Sequence, residues 1–208
     1  MTVTIRLIEH RTRCDNEVVG TTLRAKQRAR VRRDIDAAAL RLFSERGFTR
    51  VSTDEIAAAA GVSPSTYYRH VPNKEDLLLR PLRASSAAIV DGFEGQPDDE
   101  PVTRALVDAI RTQTADTDQS ELQQWRSVIS SVPGILDRVA LITEEDRARL
   151  IGIAALRMES DPAVDYRPGV TVCRVLAAVE YGFRRWMHTQ DTTTDLMQCI
   201  DRAIAVTE

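Results

Sequence analysis

The chain lacks most of the features that mark the larger functional classes. Its three cysteines, Cys14, Cys173 and Cys199, lie far apart with no Cys-x-x-Cys pair. That spacing supports neither a disulfide framework nor a zinc finger. Small buried thiols are the commoner state for such cysteines, with oxidant sensing at Cys173 or Cys199 as the alternative. His10, His70 and His188 are scattered, without cysteines or carboxylates at metal-ligand spacing. There is no Gly-x-Ser-x-Gly, no phosphate loop and no His-Glu-x-x-His, so neither turnover nor a bound cofactor or metal is expected. No apolar run approaches the ~20 residues of a membrane span. Met1–His10 is short, mixed and followed by Arg11 and Arg13, unlike a signal peptide. The expected location is the cytoplasm.

What remains is an ordinary globular composition, 43% hydrophobic and 28% charged over 208 residues, which argues against disorder. The net charge of −3 conceals a polarity. Residues 1–80 carry fifteen Arg or Lys against ten Asp or Glu, and the remainder carries thirteen against twenty-one. A basic N-terminal part on an acidic remainder suits a module held against a polyanion. Charge asymmetry is common, so that reading requires a motif.

Strand signal is almost absent, and helical periodicity recurs from Arg24 to the end. Ile35, Ala38, Ala39, Leu42 and Phe43 fall at i, i+3, i+4, i+7 and i+8, forming one apolar stripe. Gly47 is the expected stop. Thr53, ahead of Asp54 and Glu55, reads as the cap of a short helix that ends near Gly61. Ser63 reads as a second cap, with Pro64 in the first turn, where a missing N–H costs nothing. That helix ends before Pro72. Asn73, with Asp76 three residues on, reads as the cap of a longer helix running to about Phe93. Pro81 should bend or split that helix and offers a hinge. Asp91–Pro101 reads as a linker. Further helices are expected at about 101–115, 119–131, 134–141, 144–159, 168–188 and 193–206, with Thr143 and Asp146 capping the fourth of these. Two short helices about a glycine turn form the helix-turn-helix arrangement, whose second helix enters the DNA major groove.

The segments Leu42–Phe48, Ser52–Ala57, Ala60–His70 and Asn73–Leu77 resemble the DNA-binding region of the tetracycline-repressor (TetR) family. The resemblance covers about residues 31–79. It departs from the family's usual pattern at Ser65, where glycine is common, and at Val71, where phenylalanine is. It implies an all-α fold: a three-helix helix-turn-helix domain at 24–75 and a helical effector-binding and dimerisation domain at 76–208. Residues 1–23 are left as an N-terminal extension and a candidate for disorder. By resemblance, Tyr68, His70 and Lys74 are backbone anchors, and Pro64, Ser65 and Thr66 lie nearest the bases.

The residues themselves support the same roles. An exposed cap at Thr53 favours a phosphate, and Ser63, Ser65 and Thr66 offer short hydrogen-bonding groups. Tyr67, Tyr68 and His70 add reach, although either tyrosine could pack inward, since neighbours on a helix point about 100° apart. A cation at Lys74, in the first turn of a helix, opposes the helix dipole, and a DNA phosphate would explain it. The run Leu23–Arg33, with Arg24, Lys26, Arg28, Arg30, Arg32 and Arg33, is either an arm on the DNA or a solvated helix start.

In the remainder, Cys173, Leu176, Ala177, Glu180, Tyr181 and Arg184 share one side of the penultimate helix. Val172, Val175, Val179, Phe183, Trp186 and Met187 surround the other. A helix apolar on most of its circumference is central or at an interface. The last helix adds Leu196, Ile200, Ala203 and Ile204. These two helices are expected to form a four-helix bundle with those of a second copy. Trp125, Ile129, Met158, Tyr166, Tyr181 and Trp186 are candidates for a pocket holding a small apolar or amphipathic effector. The expected function is a homodimeric repressor on an inverted-repeat operator, released by that effector. The alternative is a DNA-binding regulator whose second domain only dimerises or docks a protein.

Overall fold

The computed structural model describes the backbone of residues 3–206 apart from 136, 138, 139, 190 and 192, and side chains from residue 23 onward. Among the described residues the fold is all-helical. The helices are α1 (Val3–Arg46), α2 (Thr53–Ala59), α3 (Pro64–His70), α4 (Asp76–Glu94), α5 (Val102–Ala115), α6 (Gln119–Ser130), α7 (Glu144–Arg157), α8 (Arg167–His188) and α9 (Leu196–Ile204). A single 3₁₀ turn, Phe48–Arg50, follows α1. The chain divides into two compact units, Met1–Lys74 and Glu75–Glu208.

α1 begins at Val3 rather than near Arg24. No proline occurs before Pro64, so no residue in this stretch is barred from a helix. Its apolar stripe does what its spacing predicts: Ile35, Ala38, Ala39 and Phe43 are buried, with Leu42 half-buried at the edge. Phe43 meets Phe48 at 5.0 Å between ring centroids. Phe48, Val51, Ile56, Ala57, Tyr67 and Val71 are the other buried apolar residues among those described in the N-terminal unit.

The turn between α2 and α3 is a Schellman motif. The Gly61 amide donates to the Ala58 carbonyl at 3.1 Å, and the Val62 amide reaches back to Ala57 at 3.0 Å. Both orphan carbonyls are thereby satisfied. The motif requires a left-handed residue, and Gly61 supplies it with φ 67°.

In the C-terminal unit α4 is one helix from Asp76 to Glu94, with Pro81 inside it, so the proline does not split it. Its start differs from expectation. The residue before it is Glu75, which makes no side-chain cap bond. Thr143 does cap α7, accepting from the Asp146 amide at 3.1 Å. The Asp146 carboxylate also accepts from Thr143 Oγ1 at 2.8 Å and from the fully buried Ser86 Oγ at 2.5 Å. This cluster ties α7 to α4 with every buried polar group in it partnered. Of the helix expected at 134–141, residues 136, 138 and 139 lie outside the described residues, and 134, 135, 140 and 141 are not helical.

α8 and α9 pack most closely. A Cβ built on Gly182 would lie 2.8 Å from both the Cys199 carbonyl oxygen and the Ile200 Cα. Only a bare backbone permits that approach. Val172, Val175, Leu176, Val179, Phe183, Trp186 and Met187 of α8 are buried. No helix among the described residues is long and apolar enough to cross a membrane.

Candidate nucleic-acid interface

α2 is capped by Ser52, not Thr53. Ser52 Oγ accepts from the Glu55 amide at 3.2 Å, and the Glu55 carboxylate accepts from the Ser52 amide at 2.8 Å. This is a complete capping box. Its signature was present in Ser52-Thr53-Asp54-Glu55, because only Ser52 has an acid of glutamate length three residues on. Glu55 also accepts from Arg46 at 2.6 Å. The Ser52 amide, the Arg46 guanidinium and the Ser52 hydroxyl together hold the Glu55 carboxyl down at about 2.

Displaced from the cap, Thr53 opens the first turn of α2. Its hydroxyl lies 2.9 Å from the Tyr68 hydroxyl, joining the start of α2 to the exposed side of α3. Tyr68 is 52% exposed, whereas Tyr67 is fully buried. The two rings meet edge to face at 5.5 Å. Tyr67 was expected to lend reach to DNA, and this is corrected: its ring fills the core of the N-terminal unit. The 100° step between neighbours sends one ring each way.

α3 begins as the sequence predicts. Ser63 caps it, accepting from the Thr66 amide at 3.2 Å, with Pro64 at the start of the helix. Ser63 Oγ also donates to Thr66 Oγ1 at 3.0 Å and lies 3.1 Å from Ser65 Oγ. Ser63, Pro64 and Ser65 are exposed, while Thr66 and His70 are half-buried. The front of α3 is thus a cluster of three short hydroxyls. The exposed Arg69, absent from the expected set, stands four residues after Ser65 and so shares its face. Its signal was a cation on the same helix face as the hydroxyls.

Lys74 needs a different account from the helix-dipole one. α4 begins at Asp76, so Lys74 precedes the helix and does not stand in its first turn. Its ammonium donates to the Phe48 and Val51 carbonyls, each at 2.9 Å, and sits 4.4 Å from the centre of the Phe48 ring. It neutralises carbonyls left open around the 3₁₀ turn, a sufficient reason for a cation there.

The structure does not gather the six expected pocket residues. Trp125, Ile129 and Trp186 are core. The Trp125 indole donates to the Leu78 carbonyl at 2.9 Å and the Trp186 indole to Thr194 at 3.1 Å. Their polar edges are therefore consumed internally, as buried indoles require. Met158 is half-buried at the end of α7, and Tyr166 and Tyr181 are 79% and 62% exposed. A small cleft of about 60 Å³ is lined instead by Asp137, Leu141, Glu180, Phe183, Arg184, Met187 and His188. Cys173 is exposed, contrary to the usual burial of a free thiol, and Cys199 is half-buried.

A three-helix unit whose last two helices meet across a tight glycine turn, with hydroxyls on the exposed front of the third, is a helix-turn-helix DNA-binding domain. Residues 35–80 match the family described as "Bacterial regulatory proteins, tetR family", so the N-terminal unit carries a DNA-binding domain of the TetR type. The HTH-type transcriptional regulator TcmR of Streptomyces glaucescens is 28% identical over 186 residues, covering 86% of this chain and 82% of that protein. Two solved structures share the fold. NalD, the secondary repressor of the MexAB-OprM multidrug efflux pump in Pseudomonas aeruginosa, has a TM-score of 0.54 at 20% identity, over 86% of this chain and 96% of that one. Thermus thermophilus FadR, a TetR-family repressor solved with lauroyl-CoA, has a TM-score of 0.51 at 19% identity, over 85% and 92%.

Proposed function

We propose that this regulator acts as a cytoplasmic homodimeric repressor, binding an inverted-repeat operator with two copies of α3 and released by a small effector. The observation that carries the reading is the front of α3. Ser63, Ser65 and Thr66 cluster there beside the exposed Tyr68, with Tyr67 anchoring the helix from behind. In this proposal Pro64, Ser65, Thr66 and Arg69 face the bases, and Thr53, Tyr68 and His70 hold the phosphates. Lys74 adds the one N–H that its two carbonyl bonds leave over. One such head covers only half a site, so two are required, about 34 Å apart or a multiple of that.

The exposed side of α8 supports the pairing. Val170, Cys173, Ala177 and Tyr181 recur at spacings of three and four along it and stay exposed while the opposite face is buried. An apolar stripe of this kind is what an isologous helix pair buries. The test is a gel-shift titration with duplex DNA from upstream of the chain's own gene, and no shift at low salt would end the reading.

A second reading concerns the effector. The internal bonds of Trp125 and Trp186 and the outward position of Tyr166 and Tyr181 favour a C-terminal unit that dimerises or docks a protein without a small ligand. The protein–DNA complex, challenged with a panel of amphipathic small molecules, separates the two. Release by one class of compound supports the gated repressor; retention through the whole panel supports the second reading.

A further inference from the structure

Between Leu23 and Arg33, α1 carries six cations and no acid. All six, Arg24, Lys26, Arg28, Arg30, Arg32 and Arg33, are exposed. Arg30 approaches Asp34 only at 3.9 Å and Arg32 has Asp36 four residues on, but neither Arg24 nor Arg28 has an acid three or four residues away on either side. Arg24, Arg28 and Arg32 stand four apart in one row along the helix, with the small side chains of Ala25 and Ala29 beside them. Cations four apart on a helix repel and weaken it. The pair Arg24 and Arg28 therefore costs the isolated protein stability, and a polyanion laid along the row would remove that cost.

The spacing suits one polyanion in particular. At 1.5 Å of rise per residue the three arginines spread over about 12 Å. A DNA strand presents a phosphate about every 3.4 Å of duplex axis, so the row spans three or four of them. Arginine's planar fork matches phosphate oxygens, and the alanines beside the row leave room for a DNA strand to approach. We propose that residues 24–32 of α1 form a second DNA-contact surface, separate from the helix-turn-helix, that grips phosphates without reading sequence. It rests on the DNA-binding function and adds to it a term that depends on salt and not on the operator.

The test uses the full chain and a mixed-sequence duplex of about 40 base pairs, with affinity followed by fluorescence anisotropy across a salt series. Each phosphate contact contributes about 0.9 to the slope of log affinity against log salt. The triple variant R24Q/R28Q/R32Q should lower that slope by about 2.7 per protomer, and Arg28→Gln alone by about 0.9. Glutamine keeps helix propensity close to arginine's, and circular dichroism checks that α1 persists. Arg104→Gln, in the C-terminal unit, should leave the slope unchanged. An unchanged slope in the triple variant overturns the proposal, as does an equal fall in Arg104→Gln, which would mean a general charge effect. Weakened self-association at constant slope also overturns it, by assigning the arginines to the acidic surface of a second copy. If the wild-type chain binds no duplex at low salt, the DNA-binding reading itself fails. Binding with no change on removing the arginines sinks the second surface alone.

Discussion

Lys74 touches Phe48 twice: its ammonium donates to the Phe48 carbonyl at 2.9 Å and lies 4.4 Å from the centre of the Phe48 ring. With the bond to Val51, this makes one cation a clasp on the turn between α1 and α2. Hydrogen bonds from a charged donor are worth about 1.5–3 kcal/mol each. Lys74→Met is expected to destabilise the protein by about 2 kcal/mol, since it leaves two carbonyls without their donor. Denaturant unfolding measures this, and an unchanged midpoint would show that the clasp contributes nothing.

The two adjacent tyrosines predict opposite phenotypes. Tyr67→Ala opens a cavity in the core of the N-terminal unit and should cost about 3–5 kcal/mol, as large aromatic truncations do. Tyr68→Phe removes only the hydroxyl beside Thr53. It should leave thermal stability nearly unchanged and weaken binding to all DNA sequences alike. A Tyr68→Phe effect confined to particular base pairs would move this residue from phosphate to base contact.

Gly182→Ala tests the α8–α9 crossing. The new methyl would meet backbone at 2.8 Å, so the helices must separate. Overpacking of this kind costs about 1–3 kcal/mol. The thermal midpoint should fall accordingly, and a neutral substitution would mean that the crossing is looser than described.

Ala177→Glu places a charge in the middle of the exposed α8 stripe. Two copies facing across a two-fold axis would bring like charges together and bury them unpaired. Sedimentation should show monomer in place of dimer, with operator affinity lost in parallel. A dimer that survives would place the interface elsewhere.

Glu55 gives a pH signature. Its folded-state value of about 2 lies below the ordinary 4.5, so its contribution is present in full above about 4.5 and is lost as pH falls toward 2. Glu55→Gln should remove the part of acid destabilisation that falls in that window. NMR titration of the Glu55 carboxyl gives the value directly, and a midpoint near 4.5 would contradict the capping box.

Much of the fold was legible because its signals are local. Ser63 with Pro64, Gly61, and Thr143 with Asp146 each act within a few residues of chain, and the structure places them as their chemistry requires. Where local signals overlapped, expectation failed. Two hydroxyls stand side by side at Ser52 and Thr53, and Glu55, three residues from the first, decides which is the cap.

The sequence by itself determined an all-helical chain with a basic, helix-turn-helix head, because periodicity, capping and glycine conformation are properties of neighbouring residues. Tertiary structure alone decided which chemically suitable side chain faces outward. It put Tyr67 inside and Tyr68 outside, set Lys74 on the carbonyls of Phe48 and Val51, and spent the indoles of Trp125 and Trp186 on the protein's own backbone. Those outcomes depend on carbonyls and cavities supplied by segments distant in sequence. Leu78 and Trp125 stand 47 residues apart, and Phe48 and Lys74 stand 26 apart. No local pattern carries that information, because the partner exists only once the helices have packed.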